Sequence, residues 1–209
     1  MIRRVLIIAT NNRGKLREFA SLFADAGFEL KTPGDLGFPF DVRETGSTFA
    51  ENAALKALAA ARLTGELSLA DDSGLEVDAL GGRPGIFSAR YAGGSRTADG
   101  MDEAEQCRIV LSELAGVPDA GRTARFRCVI AIATPAGDVE YAEGVFEGRI
   151  GYELRGDNGF GYDPIFVVAG RDVTSAELPS DEKNAISHRG QAARKALEML
   201  KARAQEHHG

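Results

Sequence analysis

Cysteine is scarce: Cys107 and Cys128 are the two in 209 residues. They lack the spacing of a zinc site and make no disulfide framework, so they read as small core residues of a protein in a reducing cytoplasm. Long apolar runs are missing as well. Met1-Ile2-Arg3-Arg4 followed by Val5 to Ala9 starts as a signal peptide would, but Thr10-Asn11-Asn12 ends the run too soon, and no later stretch has the length of a membrane span. Positive charge is in deficit, with 25 Lys and Arg against 31 Asp and Glu and a formal net charge of −6. That balance argues against a partner such as duplex nucleic acid, gripped by phosphate neutralisation, and leaves any basic pocket to be read by position. No Gly-x-x-x-x-Gly-Lys-Ser/Thr loop occurs, which excludes a standard nucleotide P-loop. Repeats and Pro/Gly/Ser-rich linkers are also absent, so one folding unit spanning 1–209 is expected.

What is present alternates between strand and helix patterns. Val5 to Ala9 is a continuous apolar, β-branched run of the kind that forms a buried strand. After the polar turn, Leu16, Phe19, Ala20, Leu22 and Phe23 recur at helical spacing. Thr48 and Glu51 form a capping-box pattern ahead of an Ala-rich helix over Asn52 to Arg62. Leu67 to Ala70 reads as a strand ending at Asp71-Asp72-Ser73-Gly74, with Leu75, Val77 and Ala79 as another short strand beyond it. A glycine-rich loop then runs from Leu80 to Gly85 and on through Tyr91 to Gly94. Ala104 to Leu114 is helical, and Ala124 to Ala133 with Val139 to Ile150 forms an antiparallel hairpin about Thr134 to Asp138. A short apolar run, Ile165 to Val168, follows. Gln191 to Arg203 closes the chain as an amphipathic helix burying Ala192, Ala196, Leu197 and Leu200, with a disordered end at Gln205 to Gly209. The fold class is α/β with a mixed sheet flanked by helices.

Four polar clusters interrupt these elements. The loop Thr10-Asn11-Asn12-Arg13-Gly14-Lys15 offers amide and hydroxyl donors, a glycine and cations between a strand and a helix start, where an anion is favoured. The same residues also make ordinary loops. Glu44, with the helix that carries Lys56, forms the second cluster, although spacing alone reads Lys56 as a surface lysine on an Ala-rich helix. Asp71-Asp72-Ser73-Gly74 is the third. Adjacent strand residues point to opposite faces, so its two carboxylates should do different jobs, although a solvated turn would use the same residues. Two carboxylates brought together could share Mg²⁺, which prefers oxygen ligands and keeps waters for a phosphate substrate. The fourth cluster comprises Phe160-Gly161-Tyr162-Asp163 with Lys183, His188 and Arg189. An aromatic flanked by glycines can stack on a base, while the basic residues can donate to a 6-oxo purine; the alternative makes Phe160 and Tyr162 core residues and His188 a helix cap, and for His188 alone the cap is the better reading.

Taken in order, the motifs Thr10-Asn11-Asn12 with Lys15, Glu44-Thr45-Gly46, Glu51-Asn52-Ala53 and Asp71-Asp72-Ser73-Gly74-Leu75 resemble the inosine triphosphate pyrophosphatase family. Pro84-Gly85, Ser88-Ala89-Arg90-Tyr91, Phe160 to Pro164 and Ser187-His188-Arg189-Gly190 extend the resemblance over most of the chain. It implies hydrolysis of noncanonical purine nucleoside triphosphates such as ITP, dITP and XTP to the monophosphate and pyrophosphate. It also implies Mg²⁺ dependence, a homodimer, and an elongated mixed α/β fold with the active site between two lobes. The family's phosphate loop falls on Thr10 to Lys15, its metal carboxylates on Glu44 and Asp72, and its general base on Asp72, with Ser73 against substrate. Phe160 to Asp163, Lys183, His188 and Arg189 fall on its nucleotide-binding positions. Lys56 joins Lys15 as a candidate for the triphosphate charge. Two segments depart from the family pattern: Met101 to Val110, with Glu105-Gln106-Cys107, and Val167-Val168-Ala169-Gly170, which lacks a proline.

A nucleotide-binding regulator without turnover, and a Maf-type pyrophosphatase acting on other modified nucleotides, are the competing readings. A haloacid-dehalogenase-type phosphatase is disfavoured because the first strand ends in Thr10-Asn11-Asn12 and offers no aspartate nucleophile.

Overall fold

The computed structural model describes residues 4–93 and 103–206. Gly94, Met101 and the tail 207–209, on which some sequence expectations fall, lie outside the described residues. The strands are β1 (Arg4–Ile8), β2 (Phe28–Lys31), β3 (Ser68–Val77), β4 (Thr123–Ala133), β5 (Val139–Ile150) and β6 (Phe166–Val168). They form one six-stranded sheet in the order β2-β1-β3-β4-β5-β6. β1 runs parallel to both β2 and β3, whereas β5 and β6 are antiparallel, so the sheet is mixed. β4 and β5 are neighbours joined by the tight 134–138 turn, a connection short enough only for an antiparallel hairpin.

The helices are α1 (Arg13–Leu22), α2 (Phe49–Thr64), α3 (Glu103–Glu113), α4 (Ser180–Ile186) and α5 (His188–Glu206). Asn12 caps α1 by accepting the Lys15 N–H at 3.0 Å. Thr48 caps α2 by accepting the Glu51 N–H at 3.1 Å, and the Glu51 carboxylate takes the Ser47 N–H and hydroxyl. Gly65 ends α2 in the left-handed conformation at φ 74°. None of the described helices is long and apolar enough to cross a membrane.

The chain divides into two compact units. The first comprises Met1–Asp72, Cys128–Gly144 and Arg189–Gly209; the second comprises Ser73–Arg127 and Val145–His188. In the first unit the period-two alternation of the strands builds two cores. Leu6, Ile8, Leu69, Cys128, Ile130 and Ile132 pack with Phe19 and Phe23 and with the apolar stripe of α5. Ile7, Ala9, Ala70, Ala131 and Ala133 face the other way, against the alanines of α2. The second unit has its own core of Leu75, Val77, Phe126, Phe146, Ile150 and Phe166 with Cys107 and Val110 of α3.

The structure corrects the sequence reading at three places. Leu67 to Ala70 and Leu75 to Ala79 are not separate strands: β3 runs unbroken through Asp71-Asp72-Ser73-Gly74. The acidic pair survives inside a strand because each carboxylate meets cations on its own face, so neither needs a turn into water. α5 continues through Gln205 and Glu206, where a disordered end was expected. β2 and α4 are additional elements, too short to show a periodicity of their own.

Candidate active site

The alternation along β3 decides the fate of the two aspartates. Asp71 shares its face with Leu69, and so points toward α1 and α5; Asp72 shares its face with Ala70, and so points toward α2. They accordingly meet different partners within the first unit.

Asp71 is fully buried, and its Oδ2 receives Lys15 Nζ at 3.0 Å and Arg189 Nε and Nη2 at 3.2 and 3.1 Å. Arg189 Nη1 also pairs with Glu18 of α1. Burial alone would raise the Asp71 pKa, but Lys15, Arg189 and Lys56 outweigh it and hold the carboxyl far below the usual range. Burial likewise pulls against the Arg189 charge, and Asp71 and Glu18 reverse the effect, leaving its pKa above the ordinary value. Cys128, also buried here, has its thiol pKa pushed up by burial and by Asp71.

Asp72 lies on the opposite face. Its Oδ2 accepts from Asn52 Nδ2 at 3.1 Å, and its Oδ1 stands 3.6 Å from Lys56 Nζ. Lys56 Nζ reaches Glu44 Oε1 at 2.6 Å, so one ammonium stands between the two carboxylates expected to work together. Burial pushes the Asp72 pKa up and Glu44 adds to the shift; Lys56, Lys15 and the Asn52 hydrogen bond oppose it without cancelling it. Burial would lower the Lys56 pKa, but Asp72, Asp71 and Glu44 raise it above normal. Adjacent residues thus have pKa values driven apart, a pattern common where carboxylates take separate chemical roles.

The donor set suits a hard cation. Glu44 and Asp72 supply oxygens, and among the described residues no cluster of three or more His, Cys, Asp and Glu forms a closed metal cage. Two carboxylates with the remaining positions left to water are a donor set that a hard divalent cation would accept.

The polar loop ahead of α1 contributes to the same unit. Thr10 Oγ1 accepts the Asn12 N–H at 3.2 Å, Asn11 Nδ2 donates to Phe40 O at 2.7 Å, Arg13 is exposed and Gly14 is buried. Ser73 continues β3 as a half-buried residue.

In the second unit the predicted base-reading residues form another cluster. Lys183 and Asp163 are both buried and pair at 2.6 Å, and Asp163 Oδ2 also accepts the Phe160 N–H at 2.9 Å. Lys183 Nζ sits 5.2 Å from the centre of the half-buried Phe160 ring. The Gly161 N–H donates to Glu103 Oε2 at 2.7 Å, and Cys107 Sγ donates to Gly161 O at 3.4 Å. Glu103 and Cys107, both within the Met101 to Val110 departure, therefore contact this loop. Tyr162 is buried and its hydroxyl donates to Ser88 O at 2.9 Å, while burial pushes its pKa up. His188 is buried with its ring stacked on Phe126 at 4.9 Å.

Sequence reasoning placed Asn52 and Ser88 in family motifs without giving either a role, and it missed Glu18. For Asn52 a signal existed: an asparagine one turn before Lys56 in a run of alanines is a poor helix former without a local excuse. For Ser88 the signal was its place in the Ser88-Ala89-Arg90-Tyr91 motif; Glu18 carried none. Arg189 and Tyr162, read from the sequence as nucleotide-binding, have their polar groups engaged with Asp71 and Glu18 and with Ser88.

Comparison with known proteins gives the family of the chain. The Ham1 family model matches residues 6–199. A dITP/XTP pyrophosphatase of Desulforamulus reducens is 54% identical over 195 residues, covering 93% of this chain and 94% of the relative. That of Bacillus subtilis is 48% identical, with 97% and 100% covered. Among solved structures, a HAM1 protein from Coxiella burnetii matches with a TM-score of 0.84 at 44% identity, covering 95% of this chain and 99% of that one. The motif resemblance and the mixed α/β fold are borne out together, and this chain belongs to the Ham1 family.

Proposed function

We propose that this protein hydrolyses noncanonical purine nucleoside triphosphates, ITP, dITP and XTP, to the nucleoside monophosphate and pyrophosphate. The observation that carries the reading is the pairing of Glu44 and Asp72 about Lys56, in a chain about half identical to enzymes named dITP/XTP pyrophosphatase. In the reaction a water oxygen attacks the α-phosphorus, the bond from that phosphorus to the bridging oxygen breaks, and pyrophosphate leaves. Asp72, its pKa raised by burial, takes the proton from the water. Lys56 and Lys15 offset the triphosphate charge, which a chain of net charge −6 otherwise repels. Glu44 and Asp72 would hold Mg²⁺, which supplies charge neutralisation on the phosphates when bound. Thr10 to Gly14 with Ser73 contact the phosphate end. Phe160, Gly161, Asp163, Lys183 and His188 take the base, with a lysine donor suited to a 6-oxo group and not to the 6-amino group of adenine.

The two units act as lobes of one pyrophosphatase domain, a reading supported by the chain passing between them after Asp72, Arg127, Gly144 and His188. The protein works as a homodimer, for which the exposed Leu55 and Leu63 of α2 offer apolar surface. Its compartment is the cytoplasm, a setting that suits the buried, reduced thiols of Cys107 and Cys128. Its partners are small nucleotides and not nucleic acid.

Pyrophosphate release from ITP, dITP, XTP, GTP and ATP, with and without Mg²⁺, tests the reading. Metal-dependent release from the first three, well above that from GTP and ATP, is expected; binding without release would identify a regulator instead.

A further inference from the structure

Asn52 is completely buried in α2, where its amide must find protein partners. Its Oδ1 accepts the Gly46 N–H at 2.8 Å, and its Nδ2 donates to Asp72 Oδ2 at 3.1 Å. Chemistry forces this orientation, because the flipped amide would set NH₂ against an N–H and oxygen against a carboxylate. Gly46 follows Glu44 by two residues, so one rigid side chain ties the Glu44 loop to Asp72. Gly46 is packed against the same contact: a Cβ there would lie 2.7 Å from both Asn52 Oδ1 and Glu51 Cβ and 3.0 Å from the Asn52 backbone nitrogen.

We propose that Asn52 is a positioning residue for the hydrolysis. By fixing Asp72 through Oδ2 it leaves Oδ1 turned toward Lys56 and Glu44, and through Gly46 it sets the register of the Glu44 loop against Asp72. A neutral amide is suited to both tasks: aspartate would oppose the Asp72 charge, and alanine would strand the Gly46 N–H and one Asp72 oxygen. The inference rests on Glu44 and Asp72 being the working carboxylates.

Asn52→Ala, Gly46→Ala and the double variant, measured beside Asp72→Asn, test it. ITP hydrolysis is measured with Mg²⁺, and Mn²⁺ binding to the nucleotide-free protein by electron paramagnetic resonance. Each single variant should lose about 10- to 100-fold in kcat and in Mn²⁺ affinity, the usual effect of removing a group that orients a metal ligand, with KM for ITP within about threefold. The double variant should be no worse than the worse single one, since both break the same link. Unchanged Mn²⁺ affinity, kcat within about threefold of wild type, or losses that multiply in the double variant overturn the proposal. If Asn52→Ala does not fold, Gly46→Ala alone decides by the same criteria. An Asp72→Asn protein that still turns over ITP would instead defeat the reading of the carboxylates on which the inference rests.

Discussion

Arg189, at the start of α5, directs Nε and Nη2 to one oxygen of Asp71, in the middle of β3, and both residues are almost wholly shielded from solvent. Lys15 reaches that same oxygen from α1, so a single carboxylate ties a strand to two helices. Removing one partner of a buried ion pair leaves the others charged and uncompensated. Asp71→Ala should therefore destabilise the protein by about 3–5 kcal/mol, far more than an exposed pair is worth. Urea unfolding at neutral pH measures it, and a loss below about 1 kcal/mol would show that the cluster is not a structural centre.

The same cluster gives stability a sign with pH. The folded-state pKa of Asp71 lies below its unfolded value, so its contribution is fully present above the unfolded carboxylate pKa of about 3.9 and is lost as pH falls below it toward the folded value. The stability gap between wild type and Asp71→Asn should be widest at pH 6–7 and shrink in acid, approximate bounds that follow from that unfolded pKa. Urea midpoints for both proteins across this range check it. A gap that stays constant with pH would show that Asp71 is not held ionised.

Why some of this was legible in the sequence and some was not follows from the range of the forces involved. Strand alternation and helix capping are local, so the opposite facing of Asp71 and Asp72, the Thr48 cap and the β4–β5 hairpin could all be read directly. The continuity of β3 could not, because Asp, Ser and Gly are turn residues by local preference. Only Lys15, Lys56 and Arg189, which lie 16 to 118 residues away in sequence, make an acidic strand interior tolerable. Arg189 illustrates the same limit. Sequence motifs placed it at the base, but the Asp71 and Glu18 carboxylates that engage it come from distant parts of the chain. Glu44 and Lys56 fell within one short stretch, and their pairing was easier to anticipate.

Asp72 should show activity and stability pulling apart. Its charge is disfavoured by burial and by Glu44, so the folded pKa is raised and ionisation at neutral pH weakens the fold. Asp72→Asn keeps an oxygen for the Asn52 amide and removes the disfavoured charge. Its Tm should rise above wild type, while turnover falls by about 10²–10⁴-fold as expected for loss of a general base. Calorimetry and pyrophosphate release on the same sample check both halves, and a lowered Tm would mean that Lys56 depends on Asp72 more than burial opposes it.

Tyr162 should affect binding more than chemistry. Its hydroxyl donates to Ser88 O, and the Ser88 hydroxyl accepts the Leu75 N–H of β3 at 2.9 Å and donates to Gly85 O at 2.7 Å. Tyr162→Phe removes one link between the Phe160 loop and β3. Losing about 1 kcal/mol of hydrogen bond should raise KM for ITP about fivefold with kcat nearly unchanged. Steady-state kinetics decide it, and a fall in kcat at constant KM would place Tyr162 in the chemistry instead.

Gly159 provides the sharpest test of the Asp163–Lys183 pair as the base-reading element. Its φ of +79° is a conformation in which side chains are strained, and a Cβ there would run into the Asp163 carboxylate and lie 3.1 Å from Lys183 Nζ. Asp163 cannot yield easily, because its Oδ2 is held by both the Phe160 N–H and Lys183. Gly159→Ala must therefore push the carboxylate away from the lysine or shift the loop that carries Phe160. Either movement misplaces the groups proposed to meet the 6-oxo purine, none of which belongs to the Glu44, Asp72 and Lys56 cluster. KM for ITP should rise about tenfold or more, equivalent to 1.4 kcal/mol, while kcat at saturating ITP stays within about threefold. ITP kinetics on Gly159→Ala supply the measurement. An unchanged KM in a folded variant would remove the Phe160 loop with Asp163 and Lys183 from base recognition, because the collision cannot be relieved without displacing part of that element.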